Sequence, residues 1–271
     1  MNENEKKGIG VIDIMILIII IAIPIAVNIL VGYIAYSVGY TDGQRESEGS
    51  KYSMIDSPES DAEAWLRGID VSSYQKENYK KLIDNYADDF VICKATDGTD
   101  VDPICDKAYQ YAKSKGKLLG VYFFGYPKLH DAKEYAQFCA KVTEGYVGEA
   151  IFILDCERHP TIKWISVWVK EFERLTSVKP LVYSNLNKAE SLDWTPIIEN
   201  GNPLWLAYYY TDDGEYYDIP DDVGEWPTDR ILLHQYTTAG LGGESESLDL
   251  DVFFGDKKDW QKLAKVTKIS N

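Results

Sequence analysis

The sequence predicts an α/β fold, an irregular TIM-like (β/α) barrel of eight strands with fewer helices, preceded by one transmembrane helix. Strand-like and helix-like segments alternate from residue 67 to about residue 184. Three further strand-like segments follow without convincing helices between them, and an apolar run at 14–38 precedes the whole pattern. Alternating strands and helices build a parallel sheet with right-handed crossovers. The loss of helices towards the end indicates a barrel that closes irregularly.

The apolar run at residues 14–38 is long enough to cross a membrane. As a helix it extends roughly 37 Å at 1.5 Å per residue, and a bilayer core is about 30 Å thick. A cleaved signal peptide has a shorter apolar core and a small-residue cleavage site, and neither is evident here. We therefore expect an uncleaved anchor that inserts into the lipid bilayer.

The charges around this run predict the topology. Lys6 and Lys7 precede it, although Glu3 and Glu5 dilute them, and the positive-inside rule assigns a basic flank to the cytoplasm. We expect a short cytoplasmic N-terminus (1–13), a transmembrane helix (14–38), a flexible acidic linker (39–65) and an extracellular barrel (66–268). The protein would then be a single-pass protein of the cell membrane.

The first part of the barrel domain contains five predicted strands and four predicted helices. Short apolar segments predict the strands, and apolar residues at helical spacing predict the helices. In the helix over 103–115, Pro103 occupies the first turn and Gly116 follows the end, which are favoured positions for both residues. The predicted strands are 68–72, 90–95, 118–124, 150–154 and 180–184, and the predicted helices are 77–86, 103–115, 131–142 and 162–176.

The pattern changes after Leu192. The segments 204–209, 231–236 and 248–253 resemble strands, but the stretches between them are rich in Gly, Asp and Pro. A final helix is predicted over 256–266. These strands bring the total to eight.

Composition excludes several classes of function. The net charge of the 271 residues is -16, which argues against nucleic acid as a partner because nucleic acid requires a basic surface. The four cysteines form no C-x-x-C pair. Cys93, Cys139 and Cys156 fall in predicted strands or an amphipathic helix, which favours buried thiols over disulfides.

Two carboxylates end the most informative segment of the chain. Residues 151–154 are apolar and are followed by Asp155 and Glu157. In a strand, residues i and i+2 share a face about 7 Å apart, and the carboxyl ends of barrel strands carry the chemistry in this type of fold. A pair of carboxylates is what glycoside hydrolysis uses. An acidic loop after a strand explains this segment alone equally well.

Other predicted strands also carry polar or aromatic residues near their ends, and in a barrel these ends meet at one rim. Acids crowded at one rim repel one another, which raises the pKa of at least one of them. Aromatic side chains there could form flat walls for sugar rings, although each is also an ordinary core residue. The further candidates are Asp70, Asp97, Asp249, Tyr74, Tyr122, Tyr126, Tyr183, Asn185, Trp205, Tyr208, Tyr209, Tyr210 and Gln235.

Competing chemistries find little support in the sequence. The three histidines show no zinc-binding spacing, and neither a G-x-S-x-G elbow nor a P-loop or G-x-G-x-x-G is present. We therefore expect neither a metal nor a cofactor.

Eight segments, in order, resemble the glycoside hydrolase family 25 lysozymes, which are N-acetylmuramidases. They are GIDVSSYQ at 68–75, KATDG at 94–98 with DP at 102–103, GVYFF at 120–124, LDCE at 154–157, PLVYS at 180–184, LWLAY at 204–208, QYTT at 235–238 and LDLDVF at 248–253. Each motif is weak alone, but the ordered set is specific and covers almost all of residues 67–255.

This resemblance implies a catalytic barrel that cleaves the β-1,4 bond from N-acetylmuramic acid to N-acetylglucosamine in peptidoglycan glycan strands, with retention. It implies that Glu157 is the general acid and Asp155 its acidic partner, acting either as nucleophile or as support for the substrate acetamido group. Asp70 and Asp249 match acids that line the family's groove, and Tyr122 matches its site tyrosine. Asp97, Tyr126, Trp205, Tyr208 and Gln235 complete the substrate-binding residues that we predict.

The chain departs from the family pattern at three positions. Phe123 replaces a common histidine, His234 replaces an aromatic residue, and Asp97 replaces a common glutamate. We expect these departures to alter substrate contacts and to leave the catalytic acids intact.

Three hypotheses follow. The first is a membrane-tethered muramidase with a monomeric catalytic domain. The second is a non-catalytic wall-glycan-binding module on the same barrel, which has no need of the acids at Asp155 and Glu157. The third is a glycosidase of chitin-like polymers, which the absence of the D-x-x-D-x-D-x-E signature disfavours.

Overall fold

The structure is a computed structural model that describes residues 65–155, 157–240 and 247–266. Strands dominate its centre, and the sequence prediction places each of the eight main ones within a few residues of its observed bounds. The strands are β1 Leu66–Val71, β2 Phe90–Asp97, β3 Asp100–Val101, β4 Leu118–Phe124, β5 Ala150–Asp155, β6 Leu181–Asn185, β7 Leu204–Ala207, β8 Ile231–Thr237 and β9 Asp249–Phe253.

Eight of these strands close into a barrel. The order runs β1-β2-β4-β5-β6-β7-β8-β9 and returns to β1, while the two-residue strand β3 pairs only with β2. Neighbouring strands are parallel from β1 round to β8. The last strand, β9, is antiparallel to both of its neighbours. The predicted eight-stranded barrel is confirmed, and its irregular closure consists of this one reversed strand.

The helices lie on the outside of the parallel part. Those predicted over 77–86, 103–115, 131–142, 162–176 and 256–266 are all present. Two short helices after β6 were not predicted, because a helix of five or six residues is too short to show a periodic apolar pattern. The helices are α1 Tyr79–Tyr86, α2 Cys105–Ser114, α3 Ala132–Val142, α4 Ile162–Thr176, α5 Leu186–Ser191, α6 Thr195–Glu199 and α7 Lys257–Ala264.

Side-chain caps fix where several helices begin. The Asp131 carboxylate accepts the backbone N–H groups of Lys133 and Glu134 at the start of α3. Asp256 and Asp259 form a reciprocal capping box at the start of α7. Such caps satisfy backbone donors that have no partner within the helix, and each contributes about 1 kcal/mol.

Aromatic side chains fill the layer between the strands and the outer helices. Phe123 of β4 is fully buried, with its ring centroid 5.3 Å from that of Phe172 and 5.6 Å from that of Trp168 on α4. Phe172 also packs 5.2 Å from Phe152 of β5. These contacts attach α4 to the barrel wall.

A second apolar cluster fills the barrel interior at the end where the parallel strands begin. Trp260 of α7 closes it, with ring centroids 4.6 Å from Phe90 and 5.2 Å from Phe253. The Trp260 indole N–H donates to the Leu119 carbonyl at 3.2 Å. This end of the barrel is therefore a packed core, and the opposite end is left for a site.

Cys93, Cys105 and Cys139 are free and buried, which confirms the expectation of buried thiols for Cys93 and Cys139, while Cys156 lies outside the described residues. The predicted membrane span, 14–38, also lies outside them. Within the part of the chain that the structure describes, every helix is too short or too polar to span a bilayer.

Candidate active site

A groove of about 450 Å³ opens at the rim where the parallel strands end. Every residue predicted as catalytic or substrate-binding lines it except Tyr208. Of the further rim candidates, Asn185 and Tyr210 do not line it. The groove is lined by Asp70, Ser72, Tyr74, Gln75, Lys94, Asp97, Tyr122, Phe124, Tyr126, Asp155, Glu157, Arg158, Tyr183, Trp205, Tyr209, Gln235, Ser247 and Asp249. The closed barrel thus brings together acids that are far apart in the sequence.

Asp155 and Glu157 lie at the end of β5, but not on one strand face as predicted. The strand ends at Asp155, and the Asp155 carboxylate accepts the backbone N–H of Glu157 at 3.1 Å. This contact is a local turn of the kind that aspartate side chains favour. It leaves Asp155 buried and Glu157 exposed in the groove.

The surroundings of Asp155 favour its neutral form. Burial, and then the negative charge of Glu157, raise the pKa of the Asp155 carboxyl well above its usual range. The negative charge of Glu157 therefore opposes ionisation of Asp155, in addition to the larger cost of burial.

A second pair of acids, Asp70 and Asp249, lines the same groove. Asp70 of β1 is the direct register partner of Asp249 of β9. Burial and the charge of Asp249 raise the pKa of Asp70 well above its usual range. Burial and the charge of Asp212 raise the pKa of Asp249 to about 6. The charge of the neighbouring acid thus adds to the effect of burial on the pKa of Asp70.

Asp249 reaches the rim in a way that the sequence did not predict. Asp249 is the first residue of β9, so in a parallel strand it would lie at the end of the barrel opposite the rim. Because β9 is antiparallel to β1 and β8, its amino end lies at the rim where the other strands end. The reversed strand is what brings Asp249 to Asp70.

Gln235 holds Asp70 in place. Its side-chain N–H donates to the Asp70 carboxylate at 2.7 Å. Its carbonyl oxygen accepts the hydroxyls of Tyr183 and Tyr209, the former at 2.8 Å. Gln235, a predicted binding residue, therefore also connects β8 to β1, to β6 and to the segment that follows β7.

The groove also contains a cation, Lys94. The Lys94 ammonium donates to Asp97 at 2.7 Å, and the Tyr126 hydroxyl donates to the other oxygen of Asp97 at 2.6 Å. Burial acts to raise the pKa of Asp97, but these two hydrogen bonds outweigh it and lower the pKa. Asp97 is an ionised, fully paired residue and is unsuited to donate a proton.

Asp251 is a buried acid that the sequence prediction missed. It lies two residues after Asp249 on β9 and is 1% exposed. One of its carboxylate oxygens accepts the Trp205 indole N–H at 3.1 Å, and the other has no hydrogen-bond partner among the described residues. Burial and the charges of Asp70 and Asp249 raise its pKa well above its usual range. Asp249 and Asp251 are two residues apart, and this spacing places their side chains on the same face of a strand, so the sequence could have revealed Asp251.

Three residues expected to contact substrate point away from the groove. Tyr208 stacks on His234, with ring centroids 6.3 Å apart, and its carbonyl lies 2.9 Å from the His234 ring nitrogen Nε2. Phe123 and His234 are both fully buried, so the expectation that these two departures alter substrate contacts is wrong. Side chains alternate along a strand, so Tyr122, Gln235 and Tyr209 face inwards where their neighbours face outwards.

The site can carry out acid catalysis on a polar polymer. It is an open, acid-rich groove whose walls are aromatic rings and whose acids differ in exposure and charge state. Among the described residues no cluster of three or more His, Cys, Asp and Glu side chains is arranged to hold a metal ion. The expectation of metal-independent activity stays a prediction.

The sequence of this barrel matches a known protein family. The sequence model described as Glycosyl hydrolases family 25 matches residues 69–243. The matched region contains most of the groove, including Asp70, Asp155 and Glu157.

Known proteins show the same similarity over most of the barrel. The uncharacterized protein YegX of Escherichia coli K12 is 29% identical over 214 residues, which are 72% of each chain. The solved structure of a muramidase from Trichobolus zukalii is 26% identical and covers 74% of this chain and 100% of its own, with a TM-score of 0.54. A family GH25 lysozyme from Aspergillus fumigatus is 25% identical, covers 74% and 99% of the two chains, and gives a TM-score of 0.59.

Proposed function

We propose that this chain, which belongs to glycosyl hydrolase family 25, hydrolyses the β-1,4 bond between N-acetylmuramic acid and N-acetylglucosamine in peptidoglycan. The observation that carries the proposal is the hydrogen-bonded turn that sets Asp155 and Glu157 side by side in the groove. Similarity to a muramidase and a lysozyme of known structure supports the choice of substrate.

In the proposed mechanism, Glu157 protonates the oxygen of the leaving sugar. Both acids line the groove, and the exposed Glu157 is the one better placed to exchange protons with solvent, whereas Asp155 is buried. General acid catalysis of this kind contributes roughly 10²–10⁴-fold to the rate. Glu157 then removes a proton from the incoming water, as retention of configuration requires.

Asp155 stabilises the positive charge that develops at the sugar. Burial and the charge of Glu157 raise the pKa of Asp155, and the contribution of that charge is absent while Glu157 carries the proton that it donates. The Asp155 carboxylate either attacks the anomeric carbon or orients the substrate acetamido group to do so. Asp70 and Asp249 are proposed to bind the sugar beside the scissile bond.

The test is digestion of purified peptidoglycan by the full chain, followed by reduction and mass analysis of the new ends. Reduced muramic acid ends support the proposal, and reduced glucosamine ends contradict it. Binding without any cleavage would favour a glycan-binding module. Cleavage of chitin oligomers in preference to peptidoglycan would favour the third hypothesis from the sequence.

We further propose that residues 14–38 anchor the barrel on the outer side of the cell membrane, where peptidoglycan lies. The apolar length of the run and the Lys6–Lys7 pair before it support this. Protease added to cells stripped of their wall should remove the barrel and leave a small membrane-bound fragment. A protease-protected barrel would contradict the orientation, and a mature chain starting after about residue 40 would identify a cleaved signal.

A further inference from the structure

Arg158 is a cation in the groove that lies near Asp97, whose pKa its charge helps to lower, but it forms no ion pair among the described residues. It follows Glu157 directly and lines the same groove. The centre of its guanidinium lies 5.6 Å from the ring centroid of Phe124 and 5.9 Å from that of Tyr126. Within the described residues it forms neither an ion pair nor a hydrogen bond, and its side chain is exposed.

The other cation of the groove is already paired. The Lys94 ammonium is 8% exposed and lies 2.7 Å from the Asp97 carboxylate. Elsewhere on the barrel, Arg174 makes two hydrogen bonds to Glu171, at 2.8 and 2.9 Å. Arg158 thus combines a position in the groove with unused guanidinium donors.

Contact with two aromatic faces keeps this guanidinium in place. Such contacts are worth about 0.5–1 kcal/mol at an exposed site, and they leave the N–H groups at the guanidinium edge free. A planar guanidinium matches a carboxylate through two parallel hydrogen bonds, a geometry that lysine cannot provide. The ligand that fits Arg158 is therefore a carboxylate.

An acidic groove needs such a residue if its substrate is anionic. The remaining charged groups at the centre of the groove, such as Asp70, Asp155 and Glu157, disfavour an anion when ionised. N-acetylmuramic acid differs from N-acetylglucosamine by a lactyl ether, whose carboxylate is either free or joined to a peptide with carboxylates of its own. Arg158 is the next residue after the proposed acid Glu157, so the Cα atoms of the two residues lie about 3.8 Å apart.

We propose that Arg158 binds a carboxylate of the muramyl unit next to the scissile bond and thereby selects peptidoglycan over uncharged polymers of N-acetylglucosamine. This inference rests on the proposed function and names the residue that recognises the substrate class. The carboxylate belongs either to the lactyl group or to the stem peptide.

The first experiment measures binding, so that it does not depend on turnover. Glu157→Gln protein is titrated calorimetrically with three soluble ligands: chitotetraose, the muramyl tetrasaccharide with free lactyl carboxylates, and the same tetrasaccharide with stem peptides. The titrations are repeated with Arg158→Gln or Arg158→Lys added. Arg230→Gln, which removes an equal charge before β8 at the other end of the barrel, is the matched control.

We expect Arg158→Gln to weaken binding of a carboxylate-bearing ligand by about 10- to 100-fold, the range of a charge-assisted hydrogen bond. Binding of chitotetraose should change by less than about twofold, and Arg158→Lys should give an intermediate loss. A loss with the peptide-free tetrasaccharide identifies the lactyl carboxylate, and a loss only with the peptide-bearing one identifies the stem peptide. Equal losses with all three ligands, or no loss with any, would overturn the proposal.

A second experiment separates this inference from the proposed function. Arg158→Gln in the otherwise native chain should raise KM for peptidoglycan with little change in kcat, because the contact is the same in ground and transition states. If the native chain cleaves peptidoglycan but Arg158→Gln leaves KM unchanged, the inference fails and the function stands. If nothing is cleaved while carboxylate binding still depends on Arg158, the proposed function fails and the inference about Arg158 stands.

Discussion

The inner and outer faces of the barrel wall are built from the same strands but serve opposite purposes. Tyr122 and Phe123 are neighbours on β4, yet Tyr122 lines the acidic groove whereas Phe123 lies fully buried among the rings of the outer layer. Gln235 and His234 divide in the same way on β8. Alternation along a strand thus places residues for chemistry and residues for stability at adjacent positions.

The two faces also differ in their electrostatic cost. Burial raises the pKa of Asp70, Asp155 and Asp251 on the inner face, and a shift of one pKa unit corresponds to about 1.4 kcal/mol of differential stabilisation between charge states. The outer face carries apolar rings that stabilise the fold without such a cost. Substitutions on the two faces should therefore separate activity from stability.

The largest effect should come from Glu157→Gln on the inner face. We expect kcat for peptidoglycan to fall by about 10²–10⁴-fold because glutamine cannot supply a proton. The midpoint of thermal unfolding should hardly change, since Glu157 is exposed and only its backbone N–H contacts Asp155. Turnover and thermal unfolding are measured on the same preparation. Glu134→Gln, at an exposed position on α3, is the control, and near-native kcat in folded Glu157→Gln protein would remove this residue from the mechanism.

The opposite pattern is expected on the outer face. Phe123→Ala should lower the free energy of unfolding by about 3–5 kcal/mol, the usual cost of a buried phenylalanine. The kcat of the protein that remains folded should stay within about twofold, because Phe123 packs against α4 and not against the groove. Urea unfolding and active-site-normalised turnover test this. The neighbouring Tyr122→Phe should show the reverse, and a large loss of kcat in stable Phe123→Ala protein would break the distinction between the faces.

A smaller effect, dependent on pH, is expected at Asp251. Its pKa is raised above the ordinary 3.8 in the folded chain, so between these values the native state binds more protons than the unfolded state. The contribution of Asp251 to the free energy of unfolding is then greatest below about pH 4 and is lost as pH rises through the folded pKa. Asp249, with a pKa of about 6, acts in the same direction.

Asp251→Asn removes the contribution of this group while keeping an oxygen for the Trp205 indole. Relative to the native chain, the variant should gain stability as pH rises from 4 to 8, by on the order of 1–3 kcal/mol. Thermal unfolding of both proteins across this pH range is the measurement. Asp259→Asn, in an exposed capping box on α7, should show no such gain on raising the pH. A difference between native and Asp251→Asn protein that does not vary with pH would contradict the assignment.

The acids at the rim could be predicted from the sequence, but the antiparallel orientation of β9 could not. Asp155 and Glu157 stand out because a buried strand ends in charge, and this signal is local. The reversal of β9, which brings Asp249 to Asp70, depends on pairing between distant strands and leaves no local pattern. The outward direction of Phe123 and His234 could have been predicted, because alternation fixes it once Tyr122 and Gln235 face inwards. The same rule could have revealed Asp251 from Asp249.

The smallest expected effect compares two adjacent tyrosines after β7. The Tyr209 hydroxyl donates to Gln235, whose amide holds Asp70 at 2.7 Å, whereas Tyr208 contacts His234 on the outer side. Tyr209→Phe removes one of two hydroxyls from the Gln235 oxygen and should lower kcat by roughly threefold to tenfold, the worth of one hydrogen bond of about 1 kcal/mol. Tyr208→Phe keeps the ring and should leave kcat within about twofold of the native value. Steady-state kinetics of both variants on peptidoglycan decide the matter. If Tyr208→Phe were the more damaging of the two in stably folded protein, the inner and outer faces would not be separated at this strand end.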